Sequence, residues 1–571
     1  MLGNGLSFRK AASATILFCI AMLPVAGCGW LSSSGSGTAP QPAPTMIFST
    51  YLGGSTAFDP SQSPLTFAQN AASDASGNTY VTGATTCSDL PVLNAWQQTP
   101  ASGSLWSAFV AKLDPAGRLL WCTYLGGDQQ SLGLGAAVMP DGGVAVVGLT
   151  SSDPSGPFPV MHAFQSLYSG QTDYFVTVYD ASGNMRYSTY LGGSDVEGTG
   201  FADDGSNGNN IAVDANGLVY VTGVTASGGS GAIKFPATPN AIQSDLKGST
   251  DAFLTIIDPS KSGASSLVYS SFLGGNHDDD GHVVAVNASG GQITVGGHTR
   301  STDFPTTPNA YRNVSAPSTY QGNGFISQFT CSQPGDPNAQ YLFRYSTYLG
   351  SAASLARDDL YGLAVDQAGV IVVTGRTESP DFPMTNPGVP TIYNSAPYLN
   401  YTSGDMTYLA KINPSLSGNA SLVYSTFLGG SRPGVWGTYG INVGIAASGA
   451  AYIGGRTYAS QGVEYTPSTI PAEAPQPFPY TANAFQPASN GNSDAILMQI
   501  SPCGGTLAYS TFLGGSGADC AYGLAVDPAG NILLSGASSS SDFPLKNQVQ
   551  NWPGNIGQKN AFVTKFAGFS P

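Results

Sequence analysis

Basic side chains are scarce here, with 19 Lys plus Arg and 4 His among 571 residues. Three of them nevertheless share one place in a recurring segment. Between a Gly and a Thr, or a Ser in the last copy, the chain carries Ala84, Leu149, Val224, His298, Arg376, Arg456 and Ala537 in successive copies, so His298, Arg376 and Arg456 fall in three consecutive units. Guanidinium forks beside an imidazole suit a carboxylate, sulfate or phosphate. A second group is His277-Asp278-Asp279-Asp280-Gly281-His282. There His277, Asp279, Asp280 and His282 could hold a divalent transition metal, while the competing role for such acids, as at Asp358-Asp359 and Asp519, is to cap turns. The stretch from Asp195 to Asn210, with Glu197, Asp203 and Asp204, is rich enough in oxygen for Ca²⁺ but lacks the spacing of an EF-hand loop.

Signatures of catalysis are mostly missing. The chain has no Gly-x-Ser-x-Gly, no Gly-x4-Gly-Lys, no His-Glu-x-x-His and no Cys-x-x-Cys. Asp303, Asp381 and Asp542 could serve as an acid or base assembled from several units. All three precede Phe-Pro, however, and that recurrence points to a structural turn. Beyond Cys19 and Cys28, five cysteines remain, Cys87, Cys122, Cys331, Cys503 and Cys520, enough for at most two bridges. Cys503 with Cys520 and Cys87 with Cys122 are nearest in sequence, and structural roles rank above redox chemistry for all five.

The elements that position these residues come from repetition. A Tyr/Phe-Leu-Gly-Gly/Ser signature recurs at Tyr51, Tyr124, Tyr190, Phe272, Tyr348, Phe427 and Phe512, 66 to 85 residues apart. Between copies the order is constant. A short apolar run such as Ile211-Ala212-Val213 leads into a turn, Asp214-Ala215-Asn216-Gly217, and then Val219-Tyr220-Val221-Thr222-Gly223, which reads as a β-hairpin. A longer polar stretch with a Phe-Pro core follows, then a third strand such as Ala252 to Ile257, and a fourth, Leu267 to Leu273, that closes on the next signature. Four strands per unit and seven units predict an all-β fold, a seven-bladed β-propeller of four-stranded antiparallel blades. The folded part opens with a fourth-type strand, Ile47 to Leu52, and stops after a third-type strand, Ala561 to Phe566. The N-terminal strand is therefore expected to complete the blade begun by the C-terminal three, closing the ring and removing its edges.

Stretches such as Tyr187 to Gly193, Asp214 to Gly223 and Asp251 to Ile257 resemble the bacterial seven-bladed beta-propeller repeat (SBBP) family, and the resemblance runs from residue 46 to 566. It implies a secreted or surface protein and no settled activity. Two copies depart from the pattern. The fifth signature ends Gly350-Ser351, and the sixth hairpin has Ala446-Ala447-Ser448-Gly449 in place of the Asp turn. With strands labelled A to D along each unit, the A-to-B and C-to-D turns are short, and the long D-to-A and B-to-C links emerge at the same end of every blade. That loop-lined face, next to His298, Arg376 and Arg456, is the candidate binding surface.

Residues 1–27 read as a lipoprotein signal peptide. Arg9 and Lys10 precede an uncharged apolar stretch from Ala11 to Val25, too short for a membrane span of about 20 residues, and Leu23 to Cys28 resembles a lipobox. Cys28 would then carry the acyl chains, and residues 28–45 form a Ser/Gly/Pro tether with an r.m.s. reach of roughly 20–25 Å. Residues 46–571 form the single propeller domain. Gly29 after the lipidated Cys favours the outer membrane or cell surface of the envelope. Without residues 1–27 the chain holds 17 basic against 34 acidic side chains, a net of −17, which disfavours nucleic acid and anionic lipid as partners.

The expected function is a lipid-anchored extracytoplasmic binding or scaffolding module offering its loop-lined face to a glycan, a small anion or a protein. No cofactor is required, although Ca²⁺ or another divalent metal could bind at the acidic links. A polysaccharide lyase or glycosidase using the same face, and an architectural envelope protein without a ligand pocket, are the alternatives. Replacing Cys28 by Ala is expected to abolish incorporation of radiolabelled fatty acid and to release the protein from membranes; labelling that survives the substitution would contradict the lipid anchor.

Overall fold

Runs of β-branched and aromatic residues such as Val219-Tyr220-Val221 favour extended backbone, and Asx turns reverse the chain between them. Asp214 Oδ1 accepts the backbone N–H groups of Asn216 and Leu218 at 2.9 Å each, and Asp366 and Asp527 do the same in blades 5 and 7. The sixth hairpin, which lacks the acid, keeps the turn through the backbone alone, Gly449 N–H donating to the Ala446 carbonyl at 2.8 Å.

The computed structural model describes residues 42–569 apart from 153–155, 157, 199–208, 229–232, 316–320, 352–355, 380, 385–405, 430–436, 459–461, 465–477 and 555–557. Its strands form seven four-stranded antiparallel sheets. One pair lies outside this plan, Gly462–Glu464 beside Phe478–Tyr480 in parallel, within the B-to-C link of blade 6. The A strands are Thr66–Ser73, Ser131–Val138, Ile211–Val213, Asp279–Val286, Asp358–Val365, Thr438–Ile445 and Asp519–Val526. Each contacts the A strands before and after it round a closed circle. Closure is made as expected. Thr45–Leu52 pairs antiparallel with Asn560–Ala567, Ser49 opposite Thr564 and Tyr51 opposite Phe562. The Ser49 and Thr564 hydroxyls share a buried 2.8 Å hydrogen bond.

The signature aromatics Tyr51, Tyr124, Tyr190, Phe272, Tyr348, Phe427 and Phe512 are all buried. The Phe of most Phe-Pro elements packs on an aromatic of the third strand, as in Phe235 on Phe253, Phe304 on Phe325 and Phe382 on Tyr408, with centroids 4.5, 4.5 and 4.3 Å apart, whereas Phe478, whose third strand has no aromatic, packs on the signature Phe512 at 4.7 Å. The Asp before Phe-Pro caps the loop that follows the signature, Asp303 accepting Asn276 N–H at 2.7 Å and Asp542 accepting Ser516 N–H at 2.8 Å. Ser351, in place of glycine, donates its hydroxyl to the equivalent Asp381 at 2.7 Å, which is why that copy tolerates a side chain.

Two glycine positions are dictated by crowding. In six blades strand A carries a bulged residue, Gln69, Leu134, His282, Tyr361, Ile441 or Tyr522, and strand B answers with Gly83, Gly148, Gly297, Gly375, Gly455 or Gly536. A methyl group at any of these glycines would meet a strand A carbonyl oxygen at 1.8–2.0 Å. The first signature glycine lies between the opening residue of strand C and that of the next strand A, so a methyl at Gly514 would lie 2.4 Å from Asp494 Oδ1 and 2.7 Å from Asp519 Oδ2. At Gly126 the same positions hold Ser107 and Ser131, with both hydroxyls 3.2 Å away. Gly514→Ala should therefore cost about 1–3 kcal/mol in urea unfolding and Gly126→Ala clearly less; equal costs would show that the acidic pairs do not set the constraint.

Candidate functional site on the loop-lined face

Strand B residues next to the loop-lined face follow one another round the ring, so the spacing that aligned His298, Arg376 and Arg456 in sequence also sets them in neighbouring blades. The structure brings His298 and Arg376 to one acid. Asp359, on strand A of blade 5, is opposite Arg376 in register and fully buried. Its carboxylate accepts Arg376 Nε at 3.0 Å, Arg357 Nε at 2.9 Å and the Tyr361 hydroxyl at 3.1 Å, and His298 Nε2 lies 3.9 Å away. Burial opposes the charge on Asp359, but His298, Arg357, Arg376 and His282 outweigh it and hold the carboxyl well below the usual carboxylate range. Burial pushes the His298 imidazole below its ordinary value, and Nε2–H donates to the Gln321 carbonyl at 2.7 Å. Arg376 also reaches Glu378, at 3.7 Å.

Arg456 stands apart from this cluster. It is half-buried against the rings of Tyr439 and Tyr458, 5.2 and 5.3 Å from their centroids, with Cys520 and Tyr522 as its other titratable neighbours. Its Nε is buried without a hydrogen-bond partner, and no carboxylate among the described residues pairs with it. Its aromatic neighbours belong to an apolar cluster that includes Phe67, Leu132, Leu134, Ile441, Cys520 and Tyr522. The inner rim is thus charged on blades 4 and 5 and apolar on blades 7, 1 and 2, with Arg456 between them. The six bulged side chains keep only 1–8% exposure, so side chains fill the centre. Two cavities, of about 460 and 390 Å³, lie elsewhere, one lined by Ile242, Lys247 and Phe343 and the other, at the short turns, by Asp141, Arg186 and Asp258.

The acidic link does not assemble as a metal centre. Asp279 and Asp280 project to opposite faces of their strand. Asp279 is buried and accepts Gly275 N–H and the Ser301 hydroxyl, both at 2.7 Å, whereas Asp280 faces His298. The bulge turns His282 towards blade 5, where Nδ1–H donates to the Leu360 carbonyl at 2.8 Å and the ring stacks on Tyr361. His277 bonds its neighbour Asn276. Among the described residues no group of three or more His, Cys, Asp or Glu could hold a metal. Of the proposed calcium residues, Asp203 and Asp204 lie outside the described residues, as does Cys28, while Glu197 is buried and accepts the Thr225 hydroxyl at 3.0 Å.

Asp358 does cap its link, taking Ser351 N–H at 2.7 Å, but its neighbour Asp359 is the counter-ion of the arginines rather than a turn cap. Cys87 and Cys122 are separate buried thiols and form no staple, and Cys520 keeps its thiol, so it is not bridged to Cys503. Burial pushes the Cys122 thiol up to about 12, which removes it from thiolate chemistry at neutral pH.

With seven blades, a closed ring and a filled axis in place, the molecule is a seven-bladed β-propeller. Residues 508–544 match the family model of the SBBP beta-propeller repeat, a segment that runs from the fourth strand of blade 6 through strands A and B of blade 7 to its Phe-Pro element. The regulatory protein FlaEY of Caulobacter vibrioides is 30% identical over 186 residues, 32% of this chain and 17% of FlaEY; the chain thus spans less than a fifth of that protein. Among solved structures, similarity extends to Pyrococcus horikoshii acylaminoacyl peptidase (8% identity, 84% of this chain and 50% of that one, TM-score 0.35). It extends also to the quinohemoprotein alcohol dehydrogenase of Comamonas testosteroni (10%, 93% and 77%, TM-score 0.36) and to a protein of unknown function from Dyadobacter fermentans (10%, 92% and 99%, TM-score 0.34).

Asp359→Asn should cost about 3–5 kcal/mol, because it strands two arginines against a neutral amide. Since the folded carboxyl is held low, its stabilisation is present above the ordinary carboxylate range and is lost only as pH falls through the depressed value. The gap between variant and wild type should therefore persist down to about pH 4 and close in stronger acid; a gap already closed at pH 5 would contradict the assignment.

Proposed function

We propose that the protein is a binding or scaffolding module of the bacterial cell envelope, tethered through lipid on Cys28, whose loop-lined face receives an anionic ligand. A carboxylated or sulfated envelope glycan, or an acidic protein surface, fits the chemistry. The observation that carries this reading is Arg456, a guanidinium set against the rings of two mutually perpendicular tyrosines and left without a carboxylate among the described residues. Contact with both rings holds the guanidinium in place, while the tyrosine rings offer surface for a sugar or an apolar substituent. Arg376 and His298 contribute through Asp359, which orients them and neutralises part of their charge. That acid is tied by two arginines and a tyrosine in its ionised form, which suits a counter-ion better than the proton donor a glycosidase requires.

Titration calorimetry against uronic-acid and sulfated oligosaccharides, with neutral oligosaccharides as controls, tests the reading. Arg456→Ala should weaken binding of the anionic members at least tenfold, Arg456→Lys should restore part of it, and raising salt should weaken it further. Arg376→Ala should lower the melting temperature as well as affinity. Binding that is unchanged in Arg456→Ala, or equal for neutral and anionic sugars, would overturn it.

A further inference from the structure

At the first signature glycine of blade 2, two acids from consecutive blades meet. Asp173 opens the third strand of blade 2, Asp173–Tyr179, and Glu197 lies in the link towards blade 3, opposite Thr225. Both are fully buried. Each commits one oxygen. Asp173 Oδ2 accepts Ser169 N–H at 3.0 Å and Gln165 Nε2 at 3.3 Å, and Glu197 Oε1 accepts the Thr225 hydroxyl at 3.0 Å. The remaining oxygens, Asp173 Oδ1 and Glu197 Oε2, are buried without a geometric hydrogen-bond partner. Both face Gly192, where a methyl would lie 2.3 and 3.0 Å from them.

Among the described residues nothing nearby balances two negative charges. Strand B of blade 3 offers the hydroxyls of Thr225 and Ser227, strand B of blade 2 offers Thr150 opposite Asp173, and the B-to-C link of blade 2 offers Gln165 and Ser169. Tyr174 contributes a phenol that accepts Val224 N–H at 3.1 Å. Asp195, on the same link as Glu197, adds a further acid. Lys234 is paired with Asp245 at 3.0 Å, and residues 199–208 contain no Lys, Arg or His. A buried site of this kind does not keep two carboxylates ionised, because neither solvent nor a cation screens them.

We propose that Asp173 and Glu197 hold one proton between them, as a carboxylic acid bonded to a carboxylate, and that this proton latches blade 2 to blade 3. Burial first, then the charge of Asp173, pushes Glu197 up to about 8, and burial pushes Asp173 up to about 7. Because both folded values lie above the ordinary carboxylate range, the pair binds a second proton in acid and keeps the single shared one between the two values, and the stabilisation it gives the folded state is lost as pH rises through about 7 to 8. The result is a propeller whose blade 2–3 junction tightens on mild acidification. At Gly514, Asp494 and Asp519 make a related pair, so the test rests on differences between variants and not on the total pH response.

The chain contains four glutamates, Glu197, Glu378, Glu464 and Glu473, so carboxyl-¹³C glutamate labelling resolves the question in the wild-type protein. One resonance should titrate near pH 8 while the others titrate in the usual range. All four titrating below pH 6 would overturn the proposal. In unfolding measurements from pH 5.5 to 8.5, Glu197→Gln and Asp173→Asn should each flatten the fall in the folding constant by up to tenfold per pH unit, the effect of one proton. Slopes equal to wild type in both variants would also overturn it, and the NMR titration decides if neither variant folds.

Discussion

The antiparallel pairing of Thr45–Leu52 with Asn560–Ala567 is the constraint on which the rest of the molecule depends. Without it blade 7 would have three strands and an open edge, and blade 1 would lack a neighbour on one side. With it every strand A finds two others beside it. Residues far apart in the chain then acquire fixed relations, so that His298 of blade 4, Arg376 of blade 5 and Arg456 of blade 6 occupy one rim. The seam is stitched by side chains as well as backbone, with Ser49 bonded to Thr564 and the Lys546 ammonium donating to the Met46 carbonyl at 2.6 Å.

A second constraint sits where each outer strand crosses to the next inner one. The opening residue of strand C and that of the following strand A crowd the first glycine of the signature, and those positions hold acids, amides or hydroxyls apart from Met406 and Ile211; at Gly192 the link residue Glu197 takes the second place. Acids here are met by backbone N–H groups and hydroxyls instead of basic side chains. Burial accordingly pushes Asp279 and Asp358 up to about 7 and Asp494 up to about 6. A chain rich in Gly, Ser and Thr and poor in Lys and Arg is what such junctions require. The few basic residues are thereby left for particular tasks, Arg357 and Arg376 at Asp359 and Lys565 at Asp527, 2.8 Å away.

Most of the fold was legible because repetition converts weak local signals into a strong one. The signature aromatics, the hairpin turns and the complementary chain ends specified the blade count, strand order and closure, and the rim position of His298, Arg376 and Arg456 followed from aligning units. What escaped was the partner of those residues. Asp359 reads as one of two adjacent acids in a link, and only the alternation of the strand separates Asp358, which caps a signature, from Asp359, which faces Arg376. The metal grouping of His277, Asp279, Asp280 and His282 failed for the same reason together with the bulge, which turns His282 towards blade 5. Spacing along a strand shows which face a side chain takes, whereas a one-residue bulge changes that face without leaving a clear mark in composition.

The closed ring is tested most directly by joining its ends. Ser49→Cys with Thr564→Cys, in a chain whose native cysteines are otherwise unchanged, places two thiols across the seam where the native hydroxyls are bonded at 2.8 Å. Mild oxidation should give a single intramolecular disulfide between these positions, identified by peptide mapping, with no dimer and with a raised melting temperature. Intermolecular linkage, or thiols that remain reduced while the protein stays folded, would contradict closure of the propeller by its N-terminal strand.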